Sequence, residues 1–308
     1  MRSLVTGCTG FIGSHLTEKL LREGHEVIGI DCFTDYYSRE IKENNIQKAL
    51  SDKNFTFLEK DIINLSTFPD VDYVFHQAAQ AGVRASWGKS FEIYTENNIL
   101  VTQKLLEYYK DRNLNKFVFA SSSSIYGNTD ELPILEDTQK KPFSPYGVTK
   151  LAAENLCLLY YMNYGTPTVS LRYFTVYGPR QRPDMGINKF VHAVLNEDRI
   201  EVYGDGNQTR DFTFISDVVE ANLLAAYSDV IGEYFNIGGG SRISVNDLLK
   251  LIGKVVGKDI HIKYIEMQKG DVQHTFADVT KAEKMIGYKS IIGIEQGIIK
   301  YVYSITNE

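Results

Sequence analysis

In the run Tyr146-Gly-Val-Thr-Lys150, a tyrosine and a lysine stand four residues apart at the start of a helical stretch, so both side chains share one face. A tyrosine hydroxyl with its usual pKa near ~10 is a poor base at neutral pH. A neighbouring ammonium stabilises the phenolate and brings the pair into range for moving a proton. The spacing recurs by chance in many helices, so its weight comes from what lies elsewhere in the chain. Ser121-Ser-Ser-Ser124 closes a strand, at the end where ligands bind in parallel sheets. A serine hydroxyl there can hydrogen-bond a substrate oxygen as its proton leaves.

A second constellation is Gly7-Cys-Thr-Gly10-Phe-Ile-Gly13, which follows a strand and opens a helix. Glycines let the backbone turn tightly and approach a pyrophosphate, whose charge is met by the helix N-terminus. Asp31 ends the next strand, 18 residues past Gly13, where a carboxylate accepts ribose hydroxyls. Helix capping is the plainer role for such an Asp. Its charge also repels a 2′-phosphate, so NAD is expected over NADP. The positive nicotinamide of NAD would add to the effect of Lys150 on Tyr146.

These groups need a scaffold. Ser3–Thr6, Glu26–Asp31, Phe55–Asp61, Tyr73–Ala78, Lys116–Ser122 and Thr168–Phe174 read as strands, several nearly continuous in Val, Ile, Leu and Phe. Phe11–Glu23, Ser38–Leu50, Phe91–Lys110 and Pro145–Tyr164 carry helical spacing between them. That alternation predicts an α/β fold, a Rossmann-type doubly wound parallel sheet. Beyond the irregular Gly178–Gly186 come mixed elements: helices at Asn188–Glu197, Ser216–Tyr227, Val245–Val256 and Thr280–Ile286, and strands at Ile200–Tyr203, Glu233–Ile237 and Ile260–Ile265. The expected organisation is a dinucleotide domain over 1–174, to which 212–238 can return, and a smaller mixed α/β substrate-binding domain over 175–308.

The 308 residues are 43% hydrophobic and 23% charged, an ordinary globular balance with room for a core. A net charge of −6 argues against nucleic acid and anionic membrane surfaces as partners. Cys8, Cys32 and Cys157 form no C-x-x-C pair and read as free thiols of a reducing cytosol. The histidines lack metal-ligand spacing, so no metal is expected. No leader peptide or membrane span is read, and a cytoplasmic location is expected.

With these motifs in place, the chain resembles the extended short-chain dehydrogenase/reductase family, whose members include NAD-dependent sugar-nucleotide epimerases. The resemblance rests on the glycine turn, Asp31, His76-Gln-Ala-Ala-Gln80, Ser121-Ser-Ser-Ser-Ile-Tyr-Gly127, the Tyr-Lys pair and Leu171-Arg-Tyr-Phe-Thr-Val-Tyr-Gly178. It runs along essentially the whole chain. It implies a tightly held NAD, a UDP- or dTDP-sugar substrate, and a homodimer joined through helices that include the Tyr146–Lys150 one. It also implies Ser122, Tyr146 and Lys150 as the catalytic set. Phe11, Ile12, Asp61, Ile62, Ala78, Ala79, Gln80, Asn97, Tyr173 and Phe174 match the family's cofactor contacts, beside Gly7, Gly10, Gly13, Asp31, Tyr146 and Lys150. Asn98 is an alternative to Asn97, because the two asparagines are adjacent.

Family members share oxidation of the sugar at C4 and differ in the fate of the resulting ketone. The resembling 4,6-dehydratases carry Asp-Glu at the positions of Ser123 and Ser124, and the glucuronate decarboxylases carry Glu at that of Ser124. With hydroxyls in both places, the 4-keto sugar is expected to rotate and be reduced on its other face, which is epimerisation. Thr34-Asp-Tyr-Tyr37, Ala78-Ala-Gln-Ala-Gly-Val-Arg84, Phe174-Thr-Val-Tyr-Gly-Pro179, Arg182-Pro-Asp-Met185 and Met267-Gln-Lys-Gly-Asp271 resemble the UDP-glucuronate 4-epimerases of the family. Lys269 stands where those enzymes usually have Pro. The implied substrate contacts are Arg84, Ser122, Ser123, Ser124, Tyr146, Thr175, Arg182, Asn188, Tyr203, Arg210 and Asp271, with Arg210 on the diphosphate. Arg182 and Thr175 are expected to hold a C5 carboxylate. UDP-glucose or UDP-N-acetylglucosamine is the alternative substrate, and a non-catalytic NAD sensor the alternative class. Plainer roles are solvated loop charges for Arg84 and Arg180, packing for Trp87 and a hydrogen-bonded core position for His76.

Overall fold

Leu4 and Val5 are adjacent and both fully buried, one on each face of strand β1 (Arg2–Thr6). The same division recurs in β2 (Glu26–Asp31) with Val27 and Ile28, and in β5 (Lys116–Ser122) with Val118 and Phe119. A strand apolar on both faces is stable only between two layers of helices. The computed structural model, which describes residues 1–307, has that arrangement.

β1, β2, β5, β3 (Phe55–Glu59), β4 (Tyr73–His76), β6 (Thr168–Tyr173) and a strand from far along the chain form one seven-stranded sheet. Between β6 and that last strand come β7 (Thr175–Tyr177), β8 (Arg199–Tyr203) and β9 (Thr209–Phe214). The last strand is therefore β10 (Glu233–Ile237), and the order β10-β6-β5-β4-β1-β2-β3 is parallel throughout. The expected doubly wound fold is present. Strand order reverses between β1 and β4, which opens a crevice beyond their carboxyl ends.

Helices α1 (Phe11–Arg22) and α2 (Arg39–Leu50) precede a segment, Phe91–Tyr109, in which α3 (Phe91–Tyr94) and α4 (Val101–Tyr109) flank a π-helical turn at Thr95–Leu100. Then come α5 (Pro145–Tyr164), α6 (Gly186–Asn196) and α7 (Ile215–Tyr227). Leu16 and Leu20 of α1 and Val218 of α7 join the core on one face of the sheet; Leu105 of α4 and Ala153 of α5 join that on the other. The remaining elements are β11 (Arg242–Ser244), α8 (Val245–Val256), β12 (His261–Ile265), α9 (Thr280–Ile286) and α10 (Ile294–Thr306). They build two small sheets, β11-β9-β7 and β12-β8, beside the crevice.

Candidate active site

Three local constraints set the start of α5. Ser144 caps it, its Oγ accepting from the Gly147 N–H at 3.1 Å, and Pro145 already has a helical φ. Gly147 faces backbone: a Cβ there would lie 2.5 Å from the Ser124 carbonyl oxygen. The helix therefore rests directly on the serine turn, which sets the Tyr146 phenol near enough to the Ser122 hydroxyl for Ser122 to favour the ionised phenol. Ser122 Oγ also accepts from the Ser124 N–H at 3.2 Å, with Ser123 between them half-buried.

Farther along α5, Glu154 accepts from Ser121 Oγ at 2.5 Å and pairs with Arg172 at 2.6 Å. Both charges are almost wholly buried, which is costly unless their remaining bonding capacity is met. Tyr126 Oη and the Glu136 carbonyl meet it, accepting from Arg172 Nη1 at 2.7 and 2.8 Å. Ser144→Ala is expected to lower stability by about 1 kcal/mol, as cap removal usually does, and to lower turnover as the first turn frays. Chemical denaturation beside an activity assay checks this; unchanged stability would leave Pro145 as the sufficient start signal.

Burial raises the Tyr146 pKa, while the nearby Ser122 hydroxyl and the charge of Arg182 oppose the rise. Lys150 lies one turn on, its ammonium 4.4 Å from the Phe119 ring centre, with its pKa lowered by burial to about 8. Spacing alone made Lys150 the cation acting on the phenol. The structure brings a second cation, Arg182, to act on the phenol from the segment after β7, where no local spacing reveals it. Tyr94 braces Tyr146 edge-on, ring centres 6.2 Å apart.

The crevice gathers Gly7, Gly10, Phe11, Ile12, Gly13, Asp31, Asp61, Ile62, Ala78, Ala79, Gln80, Asn97, Tyr146, Lys150 and Tyr173 in one cleft. Phe174 differs: it packs with Ile125, Tyr126, Ile134 and Ala277 in a small core cluster. Gly7 has φ +70°, and a Cβ there would lie 2.8 Å from the Ala78 backbone; one at Gly13 would lie 2.1 Å from the Gly7 carbonyl oxygen. Side chains are excluded so that α1 can present its N-terminus, which has no side-chain cap. The buried Thr9 hydroxyl beside it also lacks a protein partner among the described residues. Unmet donors and a bare backbone cradle fit a dinucleotide pyrophosphate.

Asp31 is not a helix cap. Its carboxylate accepts from Thr9 N–H at 3.2 Å and Phe33 N–H at 3.0 Å, which locks it at the cleft edge. Lys42, missed in the sequence, lines the same cleft and feels the charge of Asp31. Asp31→Ala is expected to narrow the preference for NAD over NADP by roughly tenfold or more, since a charged ribose acceptor goes and the Lys42 ammonium is left to attract a 2′-phosphate. Binding titrations of both dinucleotides measure the ratio, and an unaltered ratio would reduce Asp31 to a loop staple.

The adjacent asparagines separate cleanly. Asn97 lines the cleft. Asn98 is buried, accepting from Gln80 N–H at 2.8 Å and donating to the Gln80 carbonyl and Thr149 Oγ1 at 3.0 and 2.9 Å. The π turn places the two in these roles. His76 bonds Thr6 and Thr102 with its two ring nitrogens at 2.7 and 3.0 Å, and burial lowers its pKa to about 3, so it is a neutral core group.

Arg182 lines the cleft with Tyr146 and gives Nε and Nη2 to Asp184 at 2.9 and 3.0 Å. Thr175 opens β7 two residues past the end of β6. A second group lies farther out: Arg84 stacks on the Tyr203 ring at 4.0 Å and forks onto Asp271 at 3.2 and 2.7 Å. Arg210, half-buried and held by the Thr209, Val272 and Gln273 carbonyls, feels the charges of both Arg84 and Asp271. Arg84 is thus no free loop charge, and Arg180 is paired with Glu18 at 2.5 Å. Asn188 donates to the Gln181 carbonyl and Tyr301 Oη at 2.9 and 2.8 Å, so its amide ties the loop to α10. Trp87 is half-exposed at the rim of an apolar hollow with Phe91, Phe143 and Met267, not packed into the core.

A nucleotide cradle at the sheet's switch point, with a half-buried tyrosine and a lysine lining the same cleft beside a serine turn, defines an enzyme of the dehydrogenase type. Residues 3–238 match the NAD dependent epimerase/dehydratase family, and the chain belongs to that family. It is 39% identical over 307 residues to a UDP-glucuronate 4-epimerase of Thermodesulfobacterium geofontis, covering 97% of this chain and 94% of that protein. It is 41% identical over 303 residues to Bacillus subtilis YtcB, described as an uncharacterized UDP-glucose epimerase, covering 97% and 96%. The crystal structure of a Bacillus cereus UDP-glucuronic acid 4-epimerase with UDP-glucuronic acid and NAD superposes with a TM-score of 0.97 at 41% identity, covering 100% of this chain and 99% of that one.

Proposed function

We propose that this protein inverts C4 of UDP-glucuronate, giving UDP-galacturonate, through a 4-keto intermediate. The observation that carries the reading is Arg182, a guanidinium in the same cleft as Tyr146 whose charge reaches its phenol. Bound NAD would supply the hydride acceptor and donor for C4. Tyr146 takes the C4 hydroxyl proton and gives it back, and Ser122 holds the oxygen between them. Lys150 adds a positive charge within the same cleft. Ser123 and Ser124 contribute hydroxyls and no carboxyl group, which favours return of the keto sugar over elimination. Arg182 and Thr175 hold the C5 carboxylate.

The pair Arg84–Asp271, Tyr203 and Arg210 would take the nucleotide and its diphosphate, with residues 175–308 as mainly the sugar-nucleotide part and 1–174 plus 212–238 as the NAD part. The same reading makes the protein a cytoplasmic homodimer joined through α5. Leu100, Val148, Leu159 and Met162 support this, being large apolar side chains exposed on and beside that helix.

The deciding experiment incubates the purified enzyme with UDP-glucuronate, UDP-glucose and UDP-N-acetylglucosamine and follows C4 inversion by proton NMR. Preferred inversion of the uronate is expected. Comparable kcat/KM on UDP-glucose would defeat the substrate assignment, and no turnover of any sugar would favour a sensor.

A further inference from the structure

The segment between β2 and α2, residues 32–38, has no regular structure, yet its tip is anchored in three directions. Tyr36 Oη donates to Asp184 Oδ2 at 3.2 Å, joining residues 148 positions apart. The Tyr36 hydroxyl also nests against Gly82: a Cβ on Gly82, which has φ +105°, would lie 2.3 Å from it. Tyr94 fixes that nest by donating to the Ala81 and Gly82 carbonyls at 2.9 and 2.8 Å. From below, the Lys42 ammonium bonds the Thr34 carbonyl and lies 4.6 Å from the Tyr37 ring centre.

One end of the Tyr36 bond borders the dinucleotide cleft and the other holds a residue that does, since Tyr36, Tyr37 and Arg182, the partner of Asp184, line it together with Asp31 and Tyr146. Asp184 accepts from Tyr36 with one oxygen while its carboxylate takes two donors of Arg182. Desolvation and the Asp184 charge push the Tyr36 pKa up to about 12, so the phenol stays protonated and able to donate across the working pH range.

We propose that the Tyr36 hydroxyl and the Asp184 carboxylate form a clasp across the mouth of the cofactor cleft that retains NAD and, through the same carboxylate, positions Arg182 beside Tyr146. An epimerase returns to the sugar at the end of each turnover the hydride it removed at the start, so release of NAD serves no step of the cycle. A clasp that opens only for loading suits that chemistry. The inference rests on NAD occupying this cleft and is independent of which sugar is bound.

The test uses the NAD-loaded enzyme without sugar and follows exchange of bound NAD for an excess of isotopically labelled NAD. Tyr36→Phe keeps the ring in its nest and removes only the donor. A hydrogen bond to a charged group is worth enough to accelerate exchange roughly tenfold or more when lost. Asp184→Ala should accelerate it similarly, and the double variant should exchange no faster than Asp184→Ala alone, because the two act through one bond. Wild-type exchange in Tyr36→Phe, or effects that multiply in the double variant, would overturn the clasp. Because no sugar is present, neither result bears on the uronate assignment.

Discussion

Tyr146→Phe is expected to lower kcat by roughly 10²–10⁴ while the variant still binds NAD and UDP-sugar. The substitution removes one oxygen that lines the cleft, and the ring remains braced by Tyr94. With that oxygen goes the atom on which the Ser122 hydroxyl and the Arg182 charge act. Ser122 could hold a substrate oxygen without Tyr146, but a serine hydroxyl beside a strand end is a far weaker base. Calorimetric binding of both ligands, set beside single-turnover rates, separates loss of chemistry from loss of binding. Turnover within a few-fold of wild type would remove Tyr146 from the mechanism.

Arg182→Ala should cost about 2 kcal/mol or more in kcat/KM for UDP-glucuronate and far less for any residual activity on UDP-glucose. The cause lies in the intermediate. A 4-keto uronate is a β-keto acid and loses CO₂ when its C5–C6 bond aligns with the carbonyl π system. An enzyme that only epimerises must hold the carboxylate so that this bond stays near the carbonyl plane. A guanidinium does so through directed, charge-assisted bonds, and Thr175 can fix the second oxygen. With Nε and Nη2 directed at Asp184, Arg182 presents its Nη1 edge in a fixed orientation. The variant should also leak a pentose product, visible by chromatography. Equal losses on both sugars would move Arg182 to the nucleotide.

Most of the sheet was legible because its inner strands are buried on both faces: every residue of Lys116–Ser122 is buried, and Phe117–Ala120 is an unbroken apolar run. The short strands β7 and β11 were not, since three residues carry no periodicity. Helix α10 was missed because Gly297 interrupts its pattern; the glycine is there so that Tyr177 can pack, its hydroxyl 1.9 Å from where a Cβ would stand. Phe91–Lys110 read as one helix because a π turn alters hydrogen-bond register without altering composition. In the site, motif residues converged on one cleft as their order along the chain implied. The pairings that tune them did not show. Arg84 with Asp271 and Tyr36 with Asp184 join residues 187 and 148 positions apart, where spacing says nothing.

The position of β10 beside β6 has a consequence for how the protein is made. About sixty residues separate Tyr173, where β6 ends, from Glu233, where β10 begins. At roughly 5–20 residues per second, a ribosome needs roughly 3–12 s to supply the missing strand. During that interval six strands exist, and the outer edge of β6 offers unpaired N–H and C=O groups to any passing chain. Tyr126 meanwhile waits for Asn236, which its hydroxyl reaches at 2.7 Å in the finished protein, and buried Lys116 waits for the carbonyls of Ser228 and Val230. The nascent cofactor half is thus an aggregation-prone species whose rescue depends on uninterrupted synthesis or on a chaperone, and a gene fragment ending at residue 174 would express that sticky edge permanently.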